Sequence, residues 1–168
     1  MNMNMDLEAY NVHVLLIFLQ YLYPLVRLNK YSHINLLWFV ASIVYPQLSS
    51  YVFVNSLAIA TSFYTGLMML DDENTTRFMG NMTPVSFHVG SIVVYVLPAV
   101  VSWYCLPKRV PTYVGFVTMF HHLAWGFYKN SHLCLDSVYI PMIPRQWHIM
   151  WYFACVMHIV APFMFFRK

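Results

Sequence analysis

The chain has 168 residues, of which 60% are hydrophobic and only 9% charged, against about 25% charged in an ordinary soluble domain. So few polar side chains cannot cover the surface of a water-soluble fold of this size. The net charge of +3 is carried by basic residues that come singly or in pairs, with no run long enough to track phosphates, so nucleic acid is not an expected partner.

In chain order, the first apolar segment covers about 9–28, behind Asp6 and Glu8. It lacks the basic leader of a cleaved signal peptide and is expected to stay as an anchor. Residues 34–70 hold no charge at all, too long a stretch for the roughly 20 residues of a single crossing. Pro46, Gln47, Ser49 and Ser50 are the only turn-like material inside it, which predicts a tight hairpin of helices at 33–48 and 51–70, with a re-entrant segment as the alternative. A polar loop over 71–84 carries Asp71, Asp72, Glu73 and Arg77. Helices are then predicted over 85–104, closed by Lys108 and Arg109, and over 111–128. A second polar loop, 129–146, holds Lys129, Asp136 and Arg145, and a last helix runs over 147–166 before Arg167 and Lys168.

The charges fix this reading. All nine basic and six acidic residues fall at predicted helix ends or in loops, the pattern lipid enforces when a charge at the bilayer centre costs at least about 2.5 kcal/mol. Long continuous apolar runs are the mark of helices, whereas a membrane barrel shows short alternating segments. The expectation is one all-α domain over 1–168, a polytopic transmembrane helical bundle of about six spans, or five if the hairpin does not cross. Tyr10, Tyr31, Tyr51, Trp103, Tyr104, Tyr113, Tyr128, Trp147 and Tyr152 lie near the predicted ends, where amphipathic rings favour the interface. Trp38 and Trp125 sit deeper and are expected between helices. Orientation stays open, because with six spans the basic residues divide almost evenly between the two sides. Asn74-Thr75-Thr76 is a glycosylation acceptor if its loop faces a lumen.

Pro24, Pro46, Pro98 and Pro162 predict kinks, since each removes a backbone donor and frees a carbonyl four residues earlier. Gly66, Gly90, Gly115 and Gly126 predict places where helices approach closely. The eight histidines are the most informative polar set. Measured from the predicted ends, Thr61, Thr65, His88, His121 and His122 share one depth zone below the surface formed by loops 71–84 and 129–146. Thr61 or Thr65 with His88 or His121 is therefore the candidate catalytic pair, a hydroxyl nucleophile and its base. The bland alternative is that the hydroxyls bond their own helices and the neutral histidines glue helices together. His121 and His122 point about 100° apart on a helix. Cys105, Cys134 and Cys155 show no ligand spacing, so neither a metal nor a cofactor is expected.

Three stretches are familiar together: Phe87-His88-Val89-Gly90 running to Leu97-Pro98, His121-His122-Leu123-Ala124-Trp125-Gly126, and Tyr139-Ile140-Pro141 leading to Trp147. Their order, over roughly residues 85–166, resembles uncharacterised multi-pass membrane proteins of large DNA viruses. The resemblance implies a non-enzymatic subunit of a virion's internal membrane that contacts the capsid layer. Its partners would be membrane lipids and other membrane or capsid proteins, met through loops 71–84 and 129–146. The same region is similar to the androgen-induced family of intramembrane threonine hydrolases, which implies a lipid-ester hydrolase with Thr61 or Thr65 as nucleophile and His88 or His121 as its partner.

Overall fold

The computed structural model describes residues 15, 30–69, 71–79, 83–104, 109–131 and 144–164. Among them every element is helical and none is a strand. The first predicted span lies outside the described residues save for Leu15. Helix α1 covers Lys30–Val44, a 3-10 turn Pro46–Leu48 leads into α2 at Ser49–Met69, and a short α3 covers Asp72–Met79. Helix α4 runs over Pro84–Tyr104, α5 over Thr112–Ser131 and α6 over Pro144–Met164. By length and composition, Pro46–Met69 and Pro84–Tyr104 are long and apolar enough to cross a membrane.

Pro46 does not kink a helix, as the sequence suggested, but starts one. It takes the first position of the 3-10 turn, where a missing N–H removes no helical bond. The chain thereby folds α2 back along α1, with buried Phe39 against buried Val52 and, one turn away, Asn35 against Asn55 and Ser56. Asn35 Nδ2 donates to Ser56 Oγ at 3.0 Å, and its Oδ1 accepts from Asn55 Nδ2 at 2.9 Å. Hydrogen bonds of this kind are placed where water is excluded, so they tie the hairpin directionally where apolar contact alone would let it slide.

Helix α2 is the hub, packed against α1, α4, α5 and α6. Twelve of its residues are buried, including Ser49, Ser50, Ser56, Ala58, Ala60, Ser62 and Gly66. Side chains this small let several backbones close on one helix. The larger buried groups on α2 fill specific gaps. Phe63 packs against Phe87 and Tyr95 of α4 at ring distances of 5.5 and 5.6 Å. Phe53 and Val54 join Val110, Val114 and Ala161 in one cluster, with Trp103 packed on its edge.

Two other departures from expectation have local causes. The interval 71–84 is not simply a loop, because α3 forms within it. Asp72 and Glu73 occupy its first turn, where negative charge suits the helix dipole, and Thr76 Oγ1 bonds the Asp72 carbonyl at 2.8 Å. Helix α5 runs on to Ser131 and α6 starts at Pro144, each three residues into the interval expected as the second loop; residues 132–143 lie outside the described ones. In α4, Thr83 caps the start by accepting from the Ser86 N–H at 3.2 Å, with Pro84 in the first turn. The kink expected at Pro98 is met by a π-helical segment over Ile92–Val96, immediately before it. A wide turn at that point gives the proline ring room beside the carbonyls of the preceding turn.

Helices α5 and α6 cross most closely at Gly115. A Cβ on Gly115 would run into the carbonyl oxygen of His158 and meet Pro162 Cγ at 3.2 Å. That carbonyl is the one Pro162 leaves without its helical N–H donor. A proline on one helix and a glycine on the other thus make the same contact possible.

Several polar side chains lie inside the bundle and several large apolar ones lie on its surface. Asn35, Ser49, Ser56, Ser91, Ser102, Thr118 and His158 are at most 1–3% exposed, while Leu37, Val85, Tyr113, Phe120 and Tyr152 are 59–74% exposed. The exposed apolar residues form helical stripes: Val85, Val89 and Ile92 on α4, and Tyr113, Phe116, Val117 and Phe120 on α5. Replacing Gly115 by Ala should separate α5 from α6 and cost about 1–3 kcal/mol, seen as a lower unfolding midpoint of the detergent-solubilised protein. An unchanged midpoint would mean the crossing has slack.

Candidate functional site

The four residues singled out by sequence do not assemble. Thr61 spends its hydroxyl on its own helix, donating to the carbonyls of Leu57 at 2.8 Å and Ala58 at 3.1 Å. Thr65, one turn on, is half-buried. Neither threonine is hydrogen-bonded to a histidine among the described residues. His88 is exposed on α4 and lies parallel to the Tyr64 ring at 6.5 Å. It lines a groove of about 310 Å³ between α2, α3 and α4, with Tyr64, Leu67, Met68, Thr75, Met79 and Phe87. His121 is elsewhere, its ring edge-on to Trp38 of α1 at 6.3 Å, and Trp38 in turn stacks on Tyr51 at 5.2 Å. Trp38 therefore does pack between helices, as expected. A shared depth does not by itself bring side chains together, because a helix residue meets whatever its face is turned toward, and His121 is turned toward Trp38 of α1.

A different threonine and a different histidine do come together. Gly115 brings α5 against α6, and one turn further along α5 stands Thr118, buried and facing His158. His158 Nδ1 lies 3.0 Å from Thr118 Oγ1. The direction of that bond follows from proton counting. Thr118 has one hydroxyl proton, and its oxygen sits 2.9 Å from the Val114 carbonyl and 3.1 Å from that of Gly115. With the proton shared between those carbonyls, Oγ1 is left as an acceptor and His158 donates to it through Nδ1–H. His158 is then fixed as one tautomer, with a lone pair on Nε2. That atom is buried and has no hydrogen-bond partner among the described residues. The His122 ring stands 5.3 Å away, inclined at 51°.

Chemically, Thr118 is a poor nucleophile in this arrangement, since its proton goes to backbone carbonyls and its oxygen already accepts from the imidazole. The cluster is better described as a rigidly oriented imidazole presenting one bare nitrogen inside a helix bundle. Sequence reasoning had marked Gly115 as a place of close approach and Pro162 as a kink. It passed over Thr118, although Gly115, Thr118 and His122 recur at the spacing of a single helix face. Among the described residues, no group of three or more His, Cys, Asp or Glu side chains is placed to hold a metal ion.

No protein-family model, curated protein or solved structure matches the chain.

Replacing Thr118 by Val should leave the Nδ1–H of a wholly buried histidine unmet, a loss of about 1–3 kcal/mol. Thr61→Val removes only a bond within one helix and should cost under about 1 kcal/mol. Thermal unfolding of the two variants in the same detergent separates them, and equal midpoints would remove the directional role given to Thr118.

Proposed function

We propose that this chain is a multi-pass integral membrane protein serving as a non-enzymatic subunit of a larger membrane assembly. One observation carries the membrane part of the reading: Asn35, Asn55, Ser56, Thr118 and His158 lie buried among the helices, while stripes of valine, phenylalanine and tyrosine stand exposed on α4 and α5. In water those exposed stripes would bind one another. In lipid they are the solvated surface, and the inward polar groups find partners on neighbouring helices.

The subunit part rests on the chemistry of the site. The threonine and histidine that meet are engaged with each other and with backbone carbonyls, and the pairs carried over from the hydrolase resemblance do not meet. The charged face offered to a partner is that of α3, with exposed Asp72 and Glu73, on the segment expected to contact partners. The setting in a viral internal membrane beneath a capsid is supported by the resemblance over residues 85–166 alone.

The test is fractionation followed by co-purification. The chain should stay in the membrane pellet under alkaline carbonate and should leave mild detergent with stoichiometric protein partners. Deleting 72–79 should remove those partners while the chain remains in the membrane. Release by carbonate would end the membrane reading. A chain that purifies alone with a bound lipid would end the subunit reading.

A further inference from the structure

The groove between α2, α3 and α4 has a volume of about 310 Å³, roughly twice that of an engineered apolar cavity that takes up benzene. Part of its wall is preformed. Phe87 is 0% exposed and packs on Phe63 at 5.5 Å, and the Tyr64 and His88 rings stand parallel to each other. Leu67, Met68 and Met79 add apolar surface, while Thr75 and His88 contribute a hydroxyl and an imidazole. Tyr64 and His88 lie five and four residues from Met69 and Pro84, the ends of their helices, or about 6–8 Å along the axis. The groove therefore sits at the rim of the two spans and not at their centre. It also opens sideways: Met68, in its lining, is 87% exposed, and Val85, one turn before His88, is 74% exposed.

On the membrane reading, what borders such an opening is hydrocarbon, and flexible methionine side chains suit an occupant of no fixed shape. The chemistry changes toward α3. Asp72, Thr75 and Met79 recur on one face of that helix, so the face that lines the groove begins with an exposed carboxylate. Among the described residues no lysine or arginine lines the groove. An anionic headgroup would meet like charge there, whereas an ammonium group finds a counterion.

We infer that this groove is a binding site for one zwitterionic phospholipid. Its acyl chain lies against Leu67, Met68, Met79 and Phe87, its ester and phosphate oxygens accept a hydrogen bond from His88, and its ammonium group is directed toward Asp72. The site rests on the membrane reading and is independent of the subunit reading. A lipid held together with protein partners leaves both standing.

The experiment titrates the full-length, detergent-purified chain with palmitoyl-oleoyl phosphatidylcholine, and separately with the phosphatidylglycerol of the same chains, and counts the lipids retained by native mass spectrometry. One phosphatidylcholine should survive per chain under conditions that strip the rest, and phosphatidylglycerol should be retained less. Met79→Trp, which fills the groove, should abolish the retained lipid. His88→Ala removes one hydrogen bond and should weaken it about 2–10-fold. Asp72→Asn should erase the preference between the two headgroups. Phe120→Ala, on the exposed stripe of α5, should change nothing. Should Met79→Trp fail to give a monodisperse gel-filtration peak, His88→Ala and Asp72→Asn still decide the matter. A chain that stays in the membrane under carbonate but retains no lipid, or retains it equally in wild type and His88→Ala, overturns the site alone. Equal retention of the two lipids by wild type overturns the headgroup assignment. Release of the chain by carbonate removes the membrane reading and the site with it.

Discussion

The bundle depends on a helix that has almost no outside. From Ser49 to Leu67 no residue of α2 is exposed, so every neighbour must reach it through side chains small enough to let backbones close. Serine, alanine and glycine meet that need, and the serines bring hydroxyls that a buried position obliges to find partners. Ser62 finds one on its own helix, bonding the Ala58 carbonyl, and Ser56 finds one across the hairpin in Asn35; on α4, Ser91 bonds the Phe87 carbonyl. Close packing and internal polarity are therefore one choice, made residue by residue along α2.

The same economy extends to α5 and α6. A glycine without a side chain, a proline without a donor and a histidine carbonyl left over between them produce a close crossing. Once that crossing exists, Thr118 has nowhere to face but α6, and its hydroxyl can be satisfied at once by its own turn and by His158. Asn35 plays the corresponding part between α1 and α2. These two helix pairs thus have directional polar contacts set among non-directional apolar ones, and the directional contacts fix the rotation of one helix against the next.

Much of this was legible in the sequence. Charge exclusion and apolar run length located the helices to within a few residues, and Pro46 beside Ser49 and Ser50 marked the hairpin. Gly115 and Pro162 were each readable as contact and kink positions because their chemistry is local. What could not be read was who faces whom. Depth along a helix follows from counting residues, and counting put His121 with His88. The rotation of a helix about its axis follows from packing, and packing sent His121 to Trp38 and His122 to His158. Thr118 escaped notice for a related reason: a lone threonine in an apolar helix is usually satisfied by its own backbone, as Thr61 is here, and only the partner helix shows that it is doing more. The amphipathic α3 was hidden by its charges, which in a short segment read as loop.

The π-helical segment of α4 has a geometric consequence. A turn of that width places one more residue in the circuit than an α-turn does, so the two halves of α4 are out of phase about the common axis. Val85, Val89 and Ile92 look outward up to the join and Val100 and Tyr104 beyond it, and the join falls beside Tyr95, which is held between the helices against Phe63. Helix α4 therefore presents two outward stripes set at an offset to each other, whereas α2, unbroken from Ser49 to Met69, keeps one phase along its length.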